Sequence, residues 1–382
     1  MRSILLACIA AVLCMSLACG KVAQAPPAPP APVASVATDA DLTARVDGSI
    51  VKGVAFLMTQ LDESGVCMVE YEGKKFPEAG VTGLVILALT NAPDPDEKVK
   101  AAIQKGAAFL AAAQKEDGGV YLDPKDAPAT YVTSVAIMVL NTVDKAQYAP
   151  VIAKAQTFLI KAQGADINDK WNYGGIGYGS NKTSNLSTTQ FAIEALRTSG
   201  CTDKEAYQRA LTFLSRCQNY SEYNDLEWST NDGGAVYSPH ESKAGEVEEE
   251  GGTKGYKSYG TMTYAEIKSY IYAGLTKDDP RVLKALEWIK ANYTIDANPG
   301  MQDGAMGLYY YFLTMAKTLS VLGVDKLEDT AGIKHDWKRE LSDKMISLQQ
   351  ADGSWQNSQP RWFEGMKPLA TAYSVIALGY CR

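Results

Sequence analysis

Apolar positions along this chain fall into two alternating helical patterns. In residues 99–114, Ala101, Ala102, Ile103, Phe109 and Leu110 are interleaved with Lys100, Gln104 and Lys105, the one-sided pattern of a half-wet helix. Residues 81–89 read VTGLVILAL, apolar all round, and such a helix has to be buried. The second pattern returns at residues 131–140, 187–196, 261–275, 307–319 and 371–379, each time after a stretch of the first kind. The pattern predicts six helical hairpins, each with an outer amphipathic helix and an inner dry one.

A motif repeats with the hairpins. Lys52-Gly53, Lys105-Gly106, Lys154-Ala155, Arg209-Ala210 and Lys284-Ala285 each precede an aromatic-aliphatic pair by two residues. The anchors Phe56, Phe109, Phe158, Phe213, Trp288 and Met345 lie 53, 49, 55, 75 and 57 residues apart. Gln60, Gln114, Gln163, Gln218 and Gln350 follow, then glycines, and in four units an aromatic: Tyr121, Tyr178, Tyr237 and Trp355. Asp117, Asp232, Asp303 and Asp352 stand before glycine at one place in each unit, which suits tight turns rather than catalysis. An open array of such units would expose apolar edges at its ends, and no polar capping repeat is present. The expected fold is all-α, a two-layer ring of six hairpins (an α6/α6 toroid) over residues 41–382.

These residues resemble the QW repeat of the terpenoid cyclase and protein prenyltransferase superfamily, in particular squalene–hopene cyclases. Residues 105–121 follow the pattern with Tyr for Trp, and residues 350–355 carry its terminal Gln-Ala-Asp-Gly-Ser-Trp. The resemblance implies an α6/α6 toroid whose central cavity opens where the inner helices begin. It also implies that the glutamine amide caps backbone at a neighbouring helix end and ties outer helices together.

The family's chemistry is not legible. No D-x-D-D acid motif occurs, and residues 94–97, Asp-Pro-Asp-Glu, read better as a helix cap. The inner-helix start at residues 258–265 carries no carboxylate before Glu266. The Asp-x-Cys zinc pattern, the Asp-Asp-x-x-Asp magnesium motif and a Gly-Cys-Gly-Glu-Gln thioester are also missing. With two histidines, His240 and His335, no multi-histidine metal site can form, and neither metal nor cofactor is expected. Net charge is −7, from 37 basic and 44 acidic residues, which argues against nucleic acid as a partner.

Export is written at the start. Met1-Arg2-Ser3 and the apolar run 4–17 make a signal peptide over residues 1–18. Ser16-Leu17-Ala18-Cys19 resembles a bacterial lipobox, which implies lipidation of Cys19 and anchoring to a membrane, at its periplasmic face or in an outer membrane. Residues 19–40 form a Pro/Ala-rich tether, stiffened by polyproline II. Cys67, Cys201, Cys217 and Cys381 read as buried thiols, with a Cys67–Cys381 bridge as the alternative.

Candidate functional residues cluster near inner-helix starts. Tyr131, Tyr259, Tyr264, Tyr309, Tyr310 and Tyr373 suit an isoprenoid, a sugar ring or a cation. The fourth, longest spacing marks an insertion at residues 240–260, glycine-loosened and carrying Lys254 and Tyr256; Trp362 belongs to a second rim segment. Glu78 and Glu364 are the candidate acids. Three functions fit. The preferred one is a membrane-tethered, non-catalytic toroid binding a hydrophobic or saccharide ligand, or a partner. The second is a divergent cyclase using Glu78 or Glu364. The third is a polysaccharide lyase-like toroid, with Lys254, Lys257, Arg361 and Lys367 as its carboxylate clamp.

Overall fold

The computed structural model describes residues 39–71, 74–122, 128–179, 183–248 and 254–382; the expected signal peptide, Cys19 and the expected tether up to residue 38 lie outside them, while residues 39 and 40, expected in the tether, already belong to the first helix. Helices α1 (Asp39–Met58), α3 (Glu97–Ala112), α5 (Ala149–Ala162), α7 (Lys204–Cys217), α9 (Pro280–Ala291) and α11 (Trp337–Leu348) form the outer layer. They alternate with α2 (Ala79–Leu89), α4 (Ala129–Asp144), α6 (Leu186–Thr198), α8 (Gly260–Ala273), α10 (Leu308–Leu322) and α12 (Lys367–Gly379), which form the inner one. Outer helices bury one stripe, as α3 does with Val99, Ala102, Gly106, Ala107 and Leu110. Inner helices are buried along almost their whole length. Each inner helix packs on the next, and α12 packs back on α2 while α1 packs on α11 and α12. Both layers therefore close, and the fold is the expected α/α toroid.

The repeat residues are the fasteners. Gln163 Nε2 donates to Gly174 O of its own turn (2.8 Å) and to Ala206 O at the start of the next outer helix (2.9 Å). Gln114 does the same with Gly118 O and Val151 O, and Gln218 with Gly233 O and Arg281 O. In the last unit the residue in this place is Gln349, not Gln350. Gln349 donates to Gly353 O and to Ser49 O of α1, joining the last module to the first. The turn glycine is required twice over. Gly118 has φ +92, and a side-chain carbon there would lie 2.5 Å from the carbonyl oxygen of Lys154, the repeated basic residue of the next unit. The turn aspartates hold these loops: Asp117 Oδ1 accepts from Gly119 N (2.9 Å) and Asp352 Oδ1 from Ser354 N (3.0 Å).

A second repeat is invisible in the motif. A threonine in the second turn of the inner helix accepts from the strand-like residue after each turn. The pairs are Cys67 with Thr82, Val120 with Thr133, Ile176 with Thr189, Ala235 with Thr263 and Trp355 with Thr371, at 2.9–3.0 Å. Trp355 is thus equivalent to Ile176 and Ala235, and Tyr178 and Tyr237 lie two residues beyond the repeat aromatic's place.

Three antiparallel hairpins decorate the ring: β1 (Met68–Tyr71) with β2 (Lys74–Pro77), β3 (Glu246–Glu248) with β4 (Lys254–Tyr256), and β5 (Leu327–Glu328) with β6 (Lys334–His335). The second corrects the reading of the insertion as a loosened loop. Gly255 pairs with Val247, and a side chain on it would meet Thr230 Cγ2 at 2.7 Å, so this glycine serves close packing. In residues 94–97, Asp96 caps α3 by accepting from Val99 N (2.9 Å). Cys67, Cys201, Cys217 and Cys381 are free thiols. Among the described residues no helix is long and apolar enough to cross a membrane, and no group of His, Cys, Asp and Glu side chains is arranged to hold a metal.

Candidate functional site

The end of the ring where inner helices begin carries the loops that vary most between units. Three of the predicted tyrosines meet there on the axis. Tyr131 of α4 and Tyr373 of α12 bring their hydroxyls to 3.3 Å, and Tyr373 stacks on Tyr310 of α10 with centroids 5.7 Å apart. Phe191 of α6 completes the group, edge-on to Tyr131 (4.6 Å) and stacked on Tyr310 (6.1 Å). Tyr310 OH is held by Gln190 Nε2 (2.8 Å) and Ser187 Oγ (3.0 Å). Burial pushes the phenols of Tyr131, Tyr310 and Tyr373 up, so all three stay neutral. Four rings from four inner helices thus pack on one another at this level.

Beneath the rings lies an ionic cluster that sequence reading did not find. Glu194 of α6 pairs with Lys268 of α8 and, at 2.6 Å, with Lys317 of α10, and all three are buried. Lys268 Nζ lies 5.8 Å from the Phe191 ring centre. Burial opposes ionisation of Glu194, but the two ammonium groups outweigh it and hold its carboxyl at about 2. Burial draws Lys268 down to about 8 against the pull of Glu194, whereas Lys317 is raised, Glu194 outweighing burial.

The two candidate acids both act as helix caps. Glu78 is the N-cap of α2, its carboxylate accepting from Val81 N. Glu364 caps α10 from the neighbouring unit, accepting from Tyr310 N (2.8 Å), Tyr309 N (3.3 Å) and Asn357 Nδ2 (2.7 Å). Burial raises both above the ordinary carboxyl range, against these donors. The negative ends of both reach the Tyr373 hydroxyl electrostatically.

The remaining predicted residues disperse. Tyr259 is the buried N-cap residue of α8. Tyr264 packs edge-on against Tyr311 (5.8 Å), and Tyr309 against Phe312 (6.1 Å). Tyr256 meets Trp228 edge-on at 5.0 Å, and Lys254 lies 3.6 Å from Glu246 across the β3–β4 hairpin. Trp362, 38% exposed and at φ +56, lies under the Arg361 guanidinium (4.8 Å). The four cations of the supposed clamp are engaged apart: Lys367 pairs with Asp352, Arg361 with Met306 Sδ and the Trp362 face, Lys254 with Glu246, and Lys257 lines a separate depression.

The open space lies beside the axial rings. A depression of about 430 Å³ is lined by Tyr178, Thr183, Ser184, Asn185, Tyr237, Ser238, His240, Glu241 and Lys243. Tyr178 and Tyr237 share a hydroxyl contact at 3.1 Å on its wall. Lys243 is ion-paired with Glu241 and stands 4.4 Å over the Tyr237 ring centre. Ser238 Oγ and His240 Nδ1 are buried and have no hydrogen-bond partner among the described residues. A second depression of about 470 Å³ is lined by Thr230, Asn231, Asp232, Val247, Lys257, Ser258, Trp288, Asn292 and Gly300. Both are built largely by residues 218–259, the segment between α7 and α8. The long fourth spacing pointed to this segment. Within the lining, Tyr237 belongs to the predicted repeat and residues 240–243 to the predicted insertion, whereas Ser238 follows no motif.

No family model and no curated protein matches this chain. Solved structures do. The type II terpene cyclase MstE from Scytonema aligns at a TM-score of 0.56 and 12% identity, over 88% of this chain and 98% of that one. An unsaturated glucuronyl hydrolase specific for heparin aligns at 0.57 and 11%, over 88% and 96%. A protein from Actinoplanes aligns at 0.53 and 14%, over 88% and 99%. At such identities the likeness concerns the fold. This chain has the α/α-toroid architecture found in both a terpene cyclase and a glucuronyl hydrolase.

Proposed function

We propose that this is an exported toroid, held at a membrane by lipidated Cys19 and its Pro/Ala tether, that binds a saccharide at the polar depression beside the axial rings. The observation that carries the ligand class is the lining. Tyr178, Tyr237, Ser184, Asn185 and Ser238 bring hydroxyl and amide groups to its wall. A ligand rich in hydroxyls can pair with such groups where a hydrocarbon cannot. An isoprenoid would instead favour the aromatic group of Tyr131, Phe191, Tyr310 and Tyr373, whose rings pack on one another. Glu78 and Glu364, as caps, supply helix ends rather than a proton in this reading. Kinship with the QW-repeat superfamily rests on the glutamine fasteners and leaves the ligand open.

The test is a glycan-binding screen of the full chain in detergent, repeated with Tyr237→Phe and Ser238→Ala. Binding weakened several-fold by both variants supports the reading. Absence of binding to any saccharide, or cyclised product from squalene, sinks it. The anchor is tested separately: radiolabelled palmitate should enter the wild-type chain in a bacterial host and not Cys19→Ala.

A further inference from the structure

The depression has an aromatic neighbour that nothing above uses. Trp171 is 45% exposed, in the loop between α5 and α6, and its ring meets that of His240, a lining residue, edge-on at 6.0 Å. The backbone beneath it is tied down. Asp169 Oδ1 accepts from Trp171 N and Asn172 N, both at 3.1 Å, and Asn172 bridges on to Asp169 Oδ2 (2.8 Å) and Ser184 N (2.8 Å). Ser184 itself lines the depression, so the backbone that carries the indole and the pocket wall share one hydrogen-bond network. An indole face open to solvent fits the apolar face of a pyranose ring, which stacks without fixing its hydroxyls.

Charge narrows the class. Among the described lining residues Lys243 is the one cation, and it is spent on Glu241 and on the Tyr237 face. A uronate placed against these residues would lose hydration with no unpaired cation among them in compensation.

We infer that the ligand is a chain of neutral sugars, with one residue in the depression and the next stacked on Trp171. This rests on the saccharide reading above and adds chain length and neutrality to it. The experiment titrates the full chain in detergent, by calorimetry and tryptophan fluorescence. The probes are cello-, xylo-, manno-, malto- and chitohexaose with their monosaccharides, set against hexagalacturonate and a hyaluronan hexasaccharide. At least one neutral hexasaccharide should bind about tenfold more tightly than its monomer. That ratio should fall to near one in Trp171→Ala and be largely kept in Trp171→Phe, which at the same time loses the fluorescence change. Preference for the uronate chains overturns neutrality. A chain-length gain that survives Trp171→Ala, or no gain in wild type, overturns the stacking subsite while leaving pocket binding in place. No binding by any saccharide defeats the underlying reading instead.

Discussion

Replacing Glu194 by Gln tests the charge balance of the ring's interior. Two ammonium groups share one buried carboxylate across α6, α8 and α10. Holding the Glu194 carboxyl at about 2 against an ordinary 4.5 corresponds to about 3 kcal/mol of stabilisation at neutral pH, at 1.36 kcal/mol per pKa unit. Burial draws Lys268 the other way, down to about 8 from 10.5, while Lys317 is raised and adds to the favourable side. The cluster is strongly unbalanced without its anion. Glu194→Gln should destabilise by about 3–5 kcal/mol in urea unfolding at pH 7, since it strands two buried cations. Lys268→Met removes the surplus charge, leaves the Glu194–Lys317 pair and should cost less than about 1.5 kcal/mol. The pH signs follow from the depressed values. The Glu194 contribution is present above pH 4.5 and fades as pH falls towards 2. Between pH 8 and 10.5 the unfolded chain binds the Lys268 proton more tightly, so stability rises with pH in that window. The wild type should show that rise and Lys268→Met should not. Equal losses for Glu194→Gln and Lys268→Met, or a flat alkaline profile in wild type, would refute the reasoning.

Glu266 is buried in α8 with neither carboxylate oxygen partnered among the described residues, and burial raises it well above 4.5. Its protonated form is the stable one, so wild-type stability should fall as pH rises above 4.5, while Glu266→Gln flattens the profile between pH 5 and 8 by thermal denaturation. Gln163→Ala removes the amide bonds to Gly174 O and Ala206 O and should cost about 1–3 kcal/mol in urea midpoint analysis; no change would deny the fastener its role. Glu364→Gln turns one acceptor towards donors it cannot satisfy, at about 1–3 kcal/mol, and should lower the melting temperature. An unaltered melting temperature would free Glu364 for another task.

The ring was legible because its units repeat and its inner helices are apolar on every side. The boundaries of α2, α4 and α10 follow the apolar runs within a few residues. What escaped was long-range or off-register. Glu194 lies 74 residues from Lys268 and 123 from Lys317, on three different inner helices, and no local pattern couples them. The threonine fasteners hide among other small residues of the inner helices. Tyr178 and Tyr237 share the spacing of a repeat aromatic closely enough to be taken for one, yet two extra residues turn them to the pocket. Gln349 and Gln350 are adjacent, and only the bond to Ser49 O separates their roles. The axial rings of Tyr131, Tyr310 and Tyr373 were expected near inner-helix starts because aromatic residues recur there. That they meet, and that Phe191 joins them, depends on the closure of the ring.

The clasp between Gln349 and Ser49 spans 300 residues, and Arg382 reaches Asp47 at 3.4 Å and Asn91 O at 2.7 Å. The earliest and latest parts of the domain to be synthesised are thus direct neighbours. High contact order of this kind slows folding, because the entropy of the largest loop is lost before its contacts are gained. During synthesis from its leading end the chain would hold α1 and α2 with an unsatisfied flank until the final helix arrives. That interval is when the apolar inner faces are open to wrong partners, and when a chaperone would have most to do.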